Sequence, residues 1–191
     1  MIKQIEDLLK KKNKNDDLKN MEGIYPDSVY EKEGSSIFLA NFKGEKSLII
    51  MGKSDIFDKL QGKLILGGEA KLCPLNHANA KLIRQVFPFT APRSYRDYPI
   101  SIGLGDRLGL ASAGHLRLTR DYDFFPVLAQ QSIRELDLTG RTYEDVLDAA
   151  TWAVLQEGYE KGYGFDGDHL KKDDEIQMAL DNGATMITLD L

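Results

Sequence analysis

Cysteine, histidine and tryptophan are scarce in this chain. Its 191 residues hold one cysteine, Cys73, one tryptophan and three histidines. A single thiol excludes an internal disulfide and fits a reducing compartment, so the expected location is the cytoplasm. His77, His115 and His169 are far apart in sequence, so a metal site using His169 must draw ligands from elsewhere. No apolar run approaches the ~18 residues of a membrane span, and no membrane partner is expected. The N-terminus carries acids among its apolar residues and has no unbroken signal-peptide core. Positive charge is also lacking: the formal net charge is −5, which offers nucleic acid no electrostatic footprint. What remains is ordinary for a soluble globular protein, with 42% hydrophobic and 29% charged residues.

The first residues place Ile2, Ile5, Leu8 and Leu9 on one helical face, and the polar tract Lys10–Asn20 then ends that helix in solvent. Ser36–Phe42 and Ser47–Met51 read as strands around the turn Lys43-Gly-Glu-Lys46. Lys63–Leu66 is a third strand candidate, closed by Gly67-Gly68, and Asn76–Phe87 reads as a helix. Residues 1–97 therefore form an expected small α+β module, ending in the Pro88–Pro99 linker.

From residue 98 to 191 strands and helices alternate. Ile100–Leu104, Phe125–Ala129, Tyr163–Phe165 and Thr185–Leu189 are the strands. His115–Tyr122, a long helix opened by Thr142-Tyr-Glu-Asp145, and Asp173–Leu180 are the helices. Such alternation with short connections predicts parallel strands and right-handed crossovers. Gly103-Leu-Gly-Asp-Arg-Leu-Gly109 resembles a nucleotide-binding turn only loosely, because Asp106 and Arg107 stand where backbone must approach phosphate. Polar clusters at four successive strand ends favour a (β/α)8 barrel, whose chemistry collects on that rim. The expected fold class is thus α/β: the N-terminal half of a (β/α)8 TIM-like barrel, truncated after its fourth strand-helix unit and preceded by the α+β module.

Tyr163-Gly-Phe-Asp-Gly-Asp-His169 is the most informative stretch. A short apolar run with close-packing glycines ends in Asp166, Asp168 and His169. A nitrogen donor suits Zn, Mn, Co or Ni, and a neighbouring carboxylate can ligate or act as general base. Capping and turn roles are the bland alternative for these carboxylates. Gln130, Gln131, Ser132, Arg134 and Glu135 follow an apolar strand; amides and a hydroxyl read sugar hydroxyls, and arginine pairs with a carboxylate in a planar fork. An Arg134–Glu135 salt bridge and an internal Asp106–Arg107 ion pair are the structural alternatives.

Gly105-Asp-Arg-Leu-Gly109, Pro126-Val-Leu-Ala-Gln-Gln-Ser-Ile-Arg-Glu135, Thr139-Gly-Arg-Thr142, Asp148-Ala-Ala-Thr-Trp152, Gln156-Glu-Gly158 and Asp166-Gly-Asp-His169 together closely resemble the tagaturonate/fructuronate epimerases. The resemblance covers residues 98–191 strongly and the N-terminal region loosely. It implies a metal-dependent barrel that interconverts D-tagaturonate and D-fructuronate in hexuronate catabolism. It further implies Asp168 as proton acceptor, His169 as one ligand of a single divalent cation, and a small sugar acid as substrate. Asp106, Arg107, Gln130, Gln131, Ser132, Arg134, Glu135 and Asp166 are the expected substrate-binding residues. Family members exceed twice this length, and the remaining ligands and the proton donor lie beyond Asp190. Self-association, or a partner supplying the other half-barrel, is expected to cover the open sheet edges. A non-catalytic subunit and a different metal-dependent ketose isomerase are the competing readings.

Overall fold

The computed structural model describes residues 2–9, 18–94 and 98–190. The Lys10–Asp17 part of the polar tract and positions 95–97 of the linker lie outside them. The chain divides into two compact units, Met1–Leu82 with Leu155–Gly158, and Ile83–Val154 with Tyr159–Leu191.

The first unit is built on a five-stranded antiparallel sheet, ordered β1-β2-β3-β5-β4. These strands are β1 Tyr30–Lys32, β2 Ser35–Phe42, β3 Glu45–Met51, β4 Lys63–Ile65 and β5 Ala70–Cys73. The β2–β3 hairpin turns tightly at Lys43-Gly44, both with positive φ, so its strands run longer than the sequence pattern predicts. The N-terminal helix Ile2–Leu9 lays Ile5 and Leu9 into a core with Phe38, Ala40, Ile49 and Ile65. Two elements escape the hydrophobic pattern. The helix Asp55–Lys59 is short, and β5 contains Lys71. That lysine is buried, and its ammonium donates to the Phe57 and Leu60 carbonyls at the helix C-terminal end.

The second unit holds a four-stranded sheet ordered β6-β7-β8-β9, every neighbouring pair parallel. Its strands are β6 Ser101–Gly103, β7 Phe125–Ser132, β8 Gly164–Leu170 and β9 Met186–Leu189. The fold class is therefore mixed α/β, with one antiparallel and one parallel sheet. Helices Ser112–Thr119, Ile133–Thr139 and Asp173–Asp181 follow β6, β7 and β8. The sheet residues Ala129 and Phe165 pack with Leu136, Tyr143, Val146, Leu147 and Ala179 of the helices. The capping box at Thr142 is present: its hydroxyl accepts from the Asp145 amide, and the Asp145 carboxylate accepts from the Thr142 amide.

Two boundaries move, and both matter for the site. β7 extends through Ser132 instead of ending at Ala129, and the next helix starts at Ile133. β8 runs to Leu170 instead of ending at Phe165, so Asp166, Asp168 and His169 belong to the strand. Polar side chains at both positions mask continuous backbone pairing. Ser132 pairs with Asp168 and Gln130 with Asp166.

Candidate functional site at the parallel strand ends

Strand alternation sorts the polar residues. Phe165 and Ala129 enter the helix-covered core, so Asp166, Asp168, Gln130 and Ser132 stand on the opposite face. Gln131 goes to the core side, where it is 2% exposed; the strand thus separates two amides that the sequence sets side by side.

Asp166 is fully buried. Its Oδ2 accepts from Gln130 Nε2 at 3.1 Å and from Thr188 Oγ1 at 2.9 Å. Gln130 Oε1 accepts from the Gly105 amide at 3.4 Å. A hydrogen-bonded row therefore runs from the loop after β6, through β7 and β8, to β9. Two glycines make room for it: a Cβ on Gly103 or Gly105 would sit 2.5 Å from Gln130. Asp166 Oδ1 is buried and has no hydrogen-bond partner among the described residues. Sequence reasoning missed Thr188; the only signal was its position two residues before the polar Asp190.

Past Asp166 the strand breaks its rhythm. The β8–β9 register slips between Gly167 and Leu170, and His169 has a φ of 53°, in the left-handed region. A bulge of this kind re-aims a side chain at a strand end. Here the imidazole is 60% exposed while the Asp168 side chain is only 19% exposed. His169 Nε2 lies 3.8 Å from Asp168 Oδ1, and Nδ1 lies 3.8 Å from Asp190 Oδ1. Burial holds the Asp168 carboxyl above the usual carboxylate range; His169 opposes that, and Asp166, Glu135 and Asp190 add to it. A carboxylate so placed is a stronger base than an ordinary surface aspartate. Behind the strands, Tyr143 donates from its phenol to the Gln131 carbonyl at 3.2 Å. Its pKa is pushed up to about 12 by burial, with Asp166, Asp168 and Glu175 adding, so it stays a neutral donor.

The other expected residues divide by what they touch. Asp106 turns back on its own loop and accepts from the Leu108, Leu110 and Ala111 amides. Burial works to raise its pKa, but those three hydrogen bonds and the Arg141 charge outweigh it and hold the carboxyl below the usual range. The amides a phosphate would need are already used, which removes the nucleotide-turn reading. Arg107 pairs with Glu135 at 2.7 Å, and among the described residues neither an Asp106–Arg107 nor an Arg134–Glu135 pair is present. Ser132 and Glu135 make a reciprocal capping box at the helix Ile133–Thr139. Beside them a cavity of about 580 Å³ opens between the ends of β7, β8 and β9. Arg134 and His169 line it, with Lys171, Lys172, Glu175 and Asp190.

An imidazole between two carboxylates fits a borderline divalent cation in kind. It does not complete a shell: among the described residues no three His, Cys, Asp or Glu side chains converge.

Residues 25–191 match the family described as tagaturonate epimerase. The chain belongs to the tagaturonate epimerase family. The tagaturonate/fructuronate epimerase of Thermotoga maritima is 39% identical over 172 residues, which is 87% of this chain and 35% of that one. The glycerol-bound crystal structure of the fructuronate-tagaturonate epimerase from Cohnella laeviribosi superposes with a TM-score of 0.85 at 49% identity. It covers 87% of this chain and 34% of that one. The native crystal structure of the Cohnella enzyme gives 0.84, also at 49% identity. This member of the family thus spans about a third of the length of the relatives it matches. No helix among its described residues is long and apolar enough to cross a membrane.

Proposed function

We propose that this chain provides the base-bearing wall of an enzyme that interconverts D-tagaturonate and D-fructuronate. The family match over residues 25–191 supports the substrate, and the bulge that separates Asp168 from His169 carries the chemistry. The two ketoses differ at a hydroxyl-bearing carbon β to the ketone, whose C–H is not acidic. Asp168 takes the proton of that hydroxyl. The resulting alkoxide collapses to an aldehyde, the adjacent C–C bond breaks, and its electron pair passes into the ketone as an enolate. The aldehyde turns its other face, the enolate carbon re-adds, and Asp168 returns the proton to the new alkoxide. Atoms and electrons balance without an external redox partner.

A divalent cation such as Zn, Mn, Co or Ni would stabilise the enolate when bound, with His169 as one of its ligands. Gln130 and Ser132, on the face of Asp168, are the hydroxyl-reading residues of this scheme. Asp106, Arg107 and Glu135 support them from the surrounding loop and helix, and Gln131 from the core side of β7.

The parallel sheet is read as the first four strands of a (β/α)8 barrel. Its edge strands β6 and β9 pair only on their inner sides, with β7 and β8, and have no strand on their outer edges among the described residues. A second copy of the chain, or a polypeptide bearing the remaining strands, would pair with them and bring the missing ligands. The setting is the cytoplasm, in keeping with a free, buried Cys73.

The test is Asp168→Asn, which keeps the shape and removes the base. In a complex that turns over, the rate falls on the order of 10²–10⁴-fold. Near-normal turnover in that variant sinks the assignment of the base.

A further inference from the structure

Asp190 stands directly after β9, a strand that supplies none of the expected site residues. Two hydrogen bonds fasten this strand end to β8. Thr188 Oγ1 donates to Asp166 Oδ2 at 2.9 Å, and the Asp190 amide donates to the Leu170 carbonyl at 2.9 Å. The Asp190 side chain is held as well, since Lys171 Nζ pairs with its Oδ2 at 2.9 Å. Its other oxygen, Oδ1, faces His169 Nδ1 at 3.8 Å.

That meeting depends on the bulge in β8. Alternation along a regular strand would send His169 to the helix-covered face, away from Asp168. The register slip between Gly167 and Leu170, with the φ of 53° at His169, instead brings the ring between two carboxylates. Nε2 lies 3.8 Å from Asp168 Oδ1, the same distance that separates Nδ1 from Asp190 Oδ1. A neutral imidazole carries one ring proton, so one nitrogen donates and the other keeps its lone pair. The nitrogen left bare is the one that can ligate a metal.

The two distances are equal, but the two partners are not. Asp190 is anchored by Lys171 and by its own backbone, with one oxygen left to accept from the ring. Asp168 makes no side-chain hydrogen bond among the described residues, and the proposed reaction needs its oxygens free for the substrate hydroxyl. A proton on Nε2 would block the ligand lone pair and occupy the base together. A proton on Nδ1 satisfies Asp190 and leaves both free. The ring is 60% exposed, and a turn toward Asp190 closes that contact to hydrogen-bond length while opening the space between Nε2 and Asp168.

We infer that Asp190 is a positioning residue of this site: it accepts the Nδ1–H of His169 and so keeps Nε2 open, on the side of Asp168, for a divalent cation. The inference rests on the function proposed above and adds the group that sets the ring. Asp190 acts through His169, as carboxylate partners of ligating histidines do.

The test needs neither substrate nor metal. Long-range proton–nitrogen NMR of the full, metal-free chain at about pH 9, where imidazoles are neutral, reads which nitrogen of His169 bears the proton. His169→Gln assigns the signals by removing them. In the wild type the Nδ1–H form exceeds the Nε2–H form on the order of tenfold, as one hydrogen bond to a charged acceptor implies. In Asp190→Asn the excess reverses, because Lys171 claims the single amide oxygen and the amide NH2 turned to the ring needs a bare Nδ1. Asp190→Ala offers the ring neither group and falls between the two; a merely structural role for Asp190 would not produce that reversal. A wild-type ring protonated on Nε2, or a ratio that Asp190→Asn leaves unchanged, overturns the inference while the assignment of Asp168 stands. Normal turnover in Asp168→Asn would sink the functional reading without moving this ring signal, so the two fail separately.

Discussion

The glycines beside β7 allow a test in which one substitution is made twice with opposite expected signs. A Cβ on Gly105 would lie 2.5 Å from the Gln130 carbonyl oxygen and 3.1 Å from the Gln130 Cβ. The obstacle is backbone, so the loop after β6 or the end of β7 must shift. Gly105 has no positive φ, and the cost is therefore contact and not backbone strain. Overpacking of this kind costs about 1–3 kcal/mol. Gly114 sits in the helix Ser112–Thr119, is exposed, and has nothing within 4 Å of a built Cβ. Alanine there removes unfolded-state freedom and contributes about 0.5–1 kcal/mol of stability. Trp152 is the only tryptophan, is 5% exposed, and lies in the same unit as both glycines, so its fluorescence reports this unit's unfolding. With a urea slope of about 1–3 kcal/mol/M, Gly105→Ala should lower the midpoint by roughly 1 M and Gly114→Ala should raise it by a few tenths. Shifts of the same sign, or no loss for Gly105→Ala, would refute the close approach that seats Gln130.

Two further outcomes follow from burial and charge. Cys73 is fully buried, and its thiol is pushed up to about 12 by burial against a smaller opposing effect of Lys71. A disulfide reagent at pH 8 should leave the folded chain unlabelled and react only after denaturation; prompt native labelling contradicts the packing of β5. Asp106 is held below the ordinary carboxylate range, so its contribution is present above about pH 4 and is lost as pH falls through its lower folded value. The Leu110 and Ala111 amide signals should move in that acid window in the wild type and stay flat in Asp106→Asn. Movement centred above pH 5 would rule out the proposed brace.

Much of the fold was legible because period and turn chemistry agree. The Lys43-Gly44 hairpin, the Thr142–Asp145 capping box and the strand–helix alternation after residue 98 all appear as the pattern predicts. β5 was not legible, since Lys71 reads as polar although its ammonium is sealed against two carbonyls. The site was legible in its members and not in its arrangement. Asp166, Asp168 and His169 stand out as a crowded string, yet a bulge sends His169 outward while Asp168 remains inside. No composition signal encodes that turn. Nor does sequence separate Gln130 from Gln131, because only the phase of the strand decides which amide meets Asp166. Thr188 and the pairing of Arg107 with Glu135 depend on strands or helices brought together from distant positions.

The central claim is that this chain carries the base for tagaturonate–fructuronate interconversion. The most direct measurement mixes the purified chain with the part of the Thermotoga maritima relative that it does not cover, in the presence of a divalent cation. D-fructuronate formed from D-tagaturonate is then followed by NMR. Product should appear with the wild-type chain and fall by on the order of 10²–10⁴-fold with Asp168→Asn. A mixture no faster than the Thermotoga part alone, or an Asp168→Asn chain as active as the wild type, would contradict the account.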